Sequence, residues 1–193
     1  MQRTTYRILS EPDIARLHEA SLRILERTGT VVQDLGGREL LHRAGCRVDG
    51  DRVRIPARLV EEALKTAPKS VPLFTREGKP AMVLEGRRTY YGTGSDCPFT
   101  IDIDTGLRRE TTKADVTMLA RLADGLKQLD FVMCMAIAKD VPRPDSYVHQ
   151  FAAMLDGTTK PLVFTAGNID DMVDIHRMAV AVAGSQDALA ERP

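Results

Sequence analysis

Leu129-Asp130-Phe131-Val132-Met133-Cys134-Met135-Ala136-Ile137-Ala138 is apolar almost throughout. A strand apolar on both faces belongs inside a parallel sheet, with helices covering it. Upstream, Thr111 or Thr112 caps a predicted helix whose Val116, Leu119, Ala120, Ala123 and Leu126 share one face. Downstream, a helix over about Asp145 to Leu155 turns Val148, Phe151, Ala152 and Leu155 inward. Pro161-Leu162-Val163-Phe164-Thr165 then repeats the buried strand, and a helix over about Asp170 to Val182 repeats the spacing with Met172, Ile175, Ala179 and Val182. Strand and helix in alternation are the beat of an α/β protein.

The first half of the chain has a different rhythm. Ser10-Glu11-Pro12-Asp13 opens a helix with a capping box, and Ile14, Leu17, Ser21, Ile24 and Thr28 form a narrow stripe predicted to be buried, ended by Gly29. A second helix over about Leu35 to Ala44 is expected to carry Leu40 and Leu41 inward. Arg47–Ile55 alternates around Asp49-Gly50, a strong hairpin signal, and Pro56 starts a helix that ends before Pro68. Strand-like pieces Val71–Thr75, Ala81–Leu84 and Thr89–Tyr91 follow. The expected division is therefore an α+β amino-terminal cap over residues 1–88 and β-α units over 89–193. About three such units cannot close a barrel of eight, so a truncated chain is expected, with a small open three-layer sheet as the alternative.

Composition removes several function classes. The 27 basic and 27 acidic side chains cancel, and neither sign is gathered into a block, which argues against nucleic acid or an anionic membrane as partner. No apolar run approaches the roughly 20 residues of a membrane span, and Met1–Tyr6 lacks the hydrophobic segment of a secretory signal. A cytoplasmic location is the default expectation. Cys46, Cys97 and Cys134 are far apart and outside C-x-x-C spacing, so neither a disulfide framework nor a closed zinc site is expected. His18, His42, His149 and His176 show no metal-ligand spacing and read as structural or surface residues.

Ligands of α/β folds collect at the carboxyl ends of parallel strands. Those ends are predicted at Gly92–Asp96, Met135–Asp140 and Thr165–Asn168. The first belongs to Tyr90-Tyr91-Gly92-Thr93-Gly94-Ser95-Asp96-Cys97, a short aromatic strand running into a glycine-rich, small-polar turn where the backbone can approach a ligand. Asp96 is the acid of that loop. It can balance a cationic substrate, or it can simply cap its own turn. Lys139 and Asp140 read as a solvated pair, and Asn168-Ile169-Asp170-Asp171 reads equally as a helix cap or a ligand site.

Many short ordered matches carry a family resemblance. They include Leu9-Ser10-Glu11, His18-Glu19-Ala20-Ser21, Leu25–Gly29, Val48–Pro56, Ala67-Pro68-Lys69-Ser70, Tyr91-Gly92-Thr93-Gly94, Leu119–Asp124, Asp130–Met133 and Thr158-Thr159-Lys160-Pro161. Together they resemble the amino-terminal part of the trimethylamine methyltransferase family, the corrinoid-dependent methylamine and glycine-betaine methyltransferases. The resemblance implies a (β/α)8 TIM barrel, here partial, and transfer of a methyl group from trimethylamine or a related quaternary amine to the cobalt of a corrinoid protein. It implies no directly bound cofactor and no zinc, the corrinoid being carried by a partner protein, and a homo-oligomer is expected. The position at which methanogen members carry pyrrolysine falls beyond residue 193. On this reading Tyr90, Tyr91 and Asp96 hold the cationic donor by aromatic faces and a carboxylate, Thr93 lies between them, and Gly92 and Gly94 clear room for the corrin face. A second reading, of another class, is a truncated, non-catalytic paralogue that docks to a corrinoid protein or to a partner chain.

Overall fold

The computed structural model describes residues 7–193; Met1–Tyr6, read above for signal character, lie outside them. The capping box is present at Ser10, whose Oγ accepts from the Asp13 N–H while Asp13 accepts from the Ser10 N–H, and it starts α1 (Glu11–Arg23). The helix runs into a wider turn over Ile24–Thr28 and stops at Gly29. Glycine is required there: φ is +73°, and a Cβ would lie 2.4 Å from the Val53 carbonyl oxygen.

Strands β1 (Thr30–Val31), β2 (Arg47–Asp49) and β3 (Arg52–Arg54) form an antiparallel sheet in the order β1-β3-β2, with the expected hairpin turning at Gly50. Helices α2 (Leu35–Arg43) and α3 (Ala57–Thr66) complete a compact unit ending at Pro68. Among the described residues, Cys46 and Val53 are its buried side chains. So small a core cannot cover every apolar residue. Ile14, Leu17 and Ile24 are about half exposed and Leu40 more so, contrary to the inward stripe and inward Leu40 expected from spacing.

The second compact unit begins at Lys69, earlier in the chain than the 88/89 division drawn from sequence. Strands β4 (Ser70–Phe74) and β5 (Pro80–Glu85) pair antiparallel. Backbone bonds fasten this hairpin to the far end of the chain, the Phe74 N–H donating to Pro193 O and the Arg76 N–H to Thr159 O. A second hairpin, β6 (Phe99–Ile101) with β7 (Arg108–Glu110), leads into α4 (Lys113–Gly125). Then come β8 (Val132–Met133), α5 (Ser146–Gly157), β9 (Leu162–Val163), α6 (Ile169–Ala183) and α7 (Gln186–Glu191), with β8 and β9 parallel. The architecture is mixed helix and strand, and the described residues form no closed barrel.

Burial alternates along Phe131–Ala138. Val132, Cys134, Ala136 and Ala138 are buried, whereas Phe131, Met133, Met135 and Ile137 are only half-buried. The buried members through Ala136 join Val116, Ala120 and Ala123 of α4, Phe151 and Met154 of α5 and Ile175 of α6 in one core. One face of the run is thus packed by helices and the other is not, a correction to the two-sided burial expected from composition. No helix among the described residues is long and apolar enough to cross a membrane.

Arg109 ties the second hairpin to the start of α4. Its guanidinium donates to both Asp115 oxygens, at 2.6 and 2.8 Å, and to Asp102 at 3.0 Å. Asp115 also accepts from the Thr112 N–H and hydroxyl in a capping box. Arg109 holds both carboxyls below the usual range, that of Asp102 at about 2. A depressed folded-state value means the stabilisation is complete above the ordinary carboxylate range near pH ~4 and is lost as pH falls toward that of Asp102. Asp115→Ala is expected to cost about 2 kcal/mol at neutral pH, the cap plus a charge-assisted bond discounted for the part-exposed Arg109. Urea midpoints measured between pH 7 and pH 2.5 check this, with the variant showing the shallower acid dependence.

Candidate active site at the strand ends

Tyr91–Cys97 is not a loop beyond a strand. Apart from the left-handed Asp96, it runs alongside Phe131–Ala138, with parallel bridges pairing Gly92 with Phe131 and Cys97 with Ala136. The Asp96 N–H donates to Cys134 O, the Cys97 N–H to Met135 O and the Ile137 N–H to Cys97 O. Between the bridges, the Thr93 hydroxyl stands in for backbone. It donates to Met133 O and accepts from the Met133 N–H, both at 2.8 Å. Glycine at 92 is a packing requirement, since a Cβ there would lie 2.2 Å from the Phe131 ring.

This register spreads the sequence-selected residues along a strand. Tyr90 and Tyr91 sit at its amino end. The Tyr90 phenol donates to Val83 O and accepts from the Val83 N–H, which occupies it with the β5 backbone. Tyr91 is locked by backbone to Asp130, ahead of β8, and its ring is exposed. Neither tyrosine reaches the carboxyl ends, so their grouping with Asp96 is corrected by the geometry. Gly92 holds Phe131 rather than clearing space for a ligand, whereas a Cβ on Gly94 would meet nothing within 4 Å.

Asp96 keeps its place nearer the carboxyl end. At φ +62° it is the non-glycine residue with left-handed backbone among the described residues. That conformation costs free energy, and such outliers cluster at functional positions. Beyond it, Thr111 crosslinks the strand tops: its hydroxyl donates to Ile137 O at 2.6 Å, with Cys97 O 3.3 Å away, and its carbonyl accepts from the Lys139 N–H.

At this end lies a cavity of about 380 Å³ lined by Glu110, Lys139, Arg143, Ser146 and Tyr147 together with the end of the strand. The sequence reading missed Glu110, Arg143 and Tyr147. The available signal was position, since Arg143–Tyr147 follows directly on a predicted strand end. Asp140 is no partner of Lys139 here; it accepts from the Lys113 N–H at 2.8 Å and so supports the start of α4. Asn168 caps α6 through the Asp171 N–H, satisfying its plainer reading.

Burial pushes the Cys134 thiol up to about 11, and it donates to Ala136 O, so it stays protonated as core. Among the described residues no grouping of three or more His, Cys, Asp or Glu could hold a metal ion. A second, more apolar cavity of about 260 Å³, walled by Leu73, Leu155, Val182 and Leu189, lies by the amino end of β9, away from the strand ends where chemistry is expected.

A family model described as trimethylamine methyltransferase (MTTB) matches residues 1–193. The chain belongs to this family. Trimethylamine methyltransferase MttB of Desulfitobacterium hafniense (strain DSM 10664 / DCB-2) is 31% identical over 186 residues, 95% of this chain and 38% of the relative. Glycine betaine methyltransferase of Desulfitobacterium hafniense (strain Y51) is 28% identical over 189 residues, 97% and 39% of the two chains. Proline betaine:corrinoid methyltransferase of Eubacterium limosum is 28% identical over 170 residues, 86% and 34%. The chain therefore spans less than two fifths of the length of these family members.

Proposed function

We propose that this chain is part of a methyltransferase that moves a methyl group from a methylated amine or betaine to the cobalt of a corrinoid carried by a separate protein. Family membership along the whole chain carries the reading. We further propose that the parallel strands are the first staves of a (β/α)8 barrel, which makes the rim around Asp96, Ala138 and Tyr147 the working end. A cytoplasmic location fits this role.

The chemistry sets what the protein must do. The C–N bond breaks with its electron pair staying on nitrogen, so the donor gives up its positive charge as the methyl group leaves. When bound, the reduced corrinoid supplies the nucleophilic electron pair. What this chain supplies is binding and orientation. Glu110 and the Tyr147 ring line the cavity at the strand ends, and Asp96 lies further back on the neighbouring segment with its N–H on Cys134 O; all three are groups suited to a cationic donor. The open side at Gly94, beside half-buried Met133 and Met135, suits the approach of a flat macrocycle on a partner protein.

The test is to mix the chain with a reduced corrinoid protein and add a methylated amine or betaine. Loss of the Co(I) absorbance that depends on both chain and donor is expected. An unchanged spectrum with every donor overturns the proposal as an activity of this chain, and retained binding to the corrinoid protein in that case supports the docking-module reading.

A further inference from the structure

We infer that the apolar cavity by the amino end of β9 is a second binding site, one that takes a medium-chain aliphatic carboxylate. Its interior receives the hydrocarbon chain, and Arg192 at its edge receives the carboxylate. The inference goes beyond the methyl-transfer reading, and neither depends on the other.

Six elements meet around this cavity of about 260 Å³, and each lines it with a hydrocarbon side chain: Leu73 of β4, Met82 of β5, Leu155 of α5, Leu162 of β9, Val182 of α6 and Leu189 of α7. The walls are held apart. Met82 is buried, Leu155 and Leu162 pack on the core behind them, and the β4–β5 hairpin is bonded through its backbone to Pro193 and Thr159. Fixed apolar walls around open space leave dispersion contacts unmade, and a hydrocarbon guest restores them.

Most polar side chains of the wall are engaged by the chain itself. The Thr158 hydroxyl donates to Asp124 at 2.6 Å, the Lys160 ammonium donates to the Ala123 and Leu126 carbonyls at 2.7 Å each, and the Arg76 guanidinium donates to Leu155 O. Glu77 holds Lys79. The interior therefore presents carbon, and a polar guest would give up its hydration there without replacement.

Charge around the cavity is lopsided, with Arg76, Lys160 and Arg192 against Glu77 in the wall. Asp124 answers two of these cations. Its carboxyl is held below the usual range by the Thr158 hydroxyl first, and by Lys160 and Arg76 as well. Arg192 is exposed at the edge, its guanidinium resting on the hairpin turn, where a Cβ on Gly78 would lie 2.7 Å from its Nη1. One positive charge beside an apolar interior complements a hydrocarbon chain that ends in an anion and repels one that ends in a cation. At roughly 30 Å³ for each water-sized group, the volume admits a chain of about eight carbons.

Calorimetric titration of the full chain with octanoate, 1-octanol and octylammonium separates chain from head group. Octanoate is expected to bind roughly tenfold more tightly than octanol, with octylammonium weaker still. Octanoate should also raise the melting temperature. Arg192→Gln should erase the preference for the acid while leaving octanol affinity unchanged. Val182→Phe fills the cavity and should abolish binding of all three, and Ala188→Phe fills it from the neighbouring helix; unliganded melts like the parent's show that the variants fold. Octylammonium binding as tightly as octanoate, or Arg192→Gln without effect, overturns the carboxylate assignment. No octanoate binding, or binding that both filling variants leave intact, overturns the site itself.

Discussion

Gly157→Val is expected to unfold the unit that begins at Lys69, with a loss of more than about 3 kcal/mol. Helices α4 and α5 make the core that supports β8, and at the end of α5 Gly157 sits directly against α4. A Cβ on Gly157 would lie 2.5 Å from the Ala120 Cβ and 2.7 Å from Thr117 O, well inside contact distance. The second obstacle decides the size of the effect. A flexible side chain could swing away, but Thr117 O is helix backbone and Ala120 is buried. Relief therefore requires α4 to move, and with it Val116 and Ala123, which pack on Val132 and Cys134. The Thr117 hydroxyl bond to Ala153 O, at 3.2 Å, would be strained by the same shift. Gly157→Ala should cost about 1–3 kcal/mol, since it adds the clashing carbon without the branches. Urea denaturation followed by far-UV circular dichroism measures both; an alanine variant within about 0.5 kcal/mol of the parent would show that the helices are not so closely seated.

What was legible in the sequence is what depends on local periodicity. The helices expected over about Asp145 to Leu155 and Asp170 to Val182 form at Ser146–Gly157 and Ile169–Ala183, because their apolar spacing, joined in the second by the Asn168 cap, acts within a few residues. The two strands between helices could be recognised for the same reason, although their regular pairing is confined to Val132–Met133 and Leu162–Val163. Their one-sided packing could not, because nothing in an apolar run says which face a helix will cover.

The stretch around Gly92 was misread for a physical reason of its own. Glycine, threonine and serine in succession look like a turn, yet here the chain is extended. Thr93 supplies by side chain the bonds a regular ladder would supply by backbone, and Gly92 admits the Phe131 ring. Both interactions are made with residues distant in sequence, so no local rule reveals them. The Thr158-Thr159-Lys160-Pro161 motif is similar. Thr158 and Thr159 donate to Asp124, and Lys160 donates to the Ala123 and Leu126 carbonyls, so the motif fastens the end of α4 to the start of β9. A motif that carries part of the family resemblance is thus also a structural staple. The cavity residues were hidden because Glu110 arrives from a hairpin and Tyr147 from a helix start, and only the fold brings them together.

On the methyl-transfer reading proposed above, Asp96→Asn is expected to weaken binding of the cationic donor by roughly tenfold, about 1.4 kcal/mol, while leaving the melting temperature nearly unchanged. Asparagine tolerates the left-handed backbone that Asp96 adopts, so the change removes charge and little else. Asp96→Gly tests the other half of the residue. Glycine relieves the φ +62° strain and should raise stability by up to about 1 kcal/mol, yet it should bind donor no better than asparagine does. Because the donor loses its positive charge during transfer, an anion beside it favours the bound ground state more than the product side. Both variants should therefore raise KM more than they lower kcat. Asp96→Ala should combine weaker binding with reduced stability, since alanine suits neither role. If all three variants retain the parent's affinity and turnover, Asp96 is a turn residue whose backbone serves the strand, and the donor's charge must be met by Glu110 and Tyr147 alone.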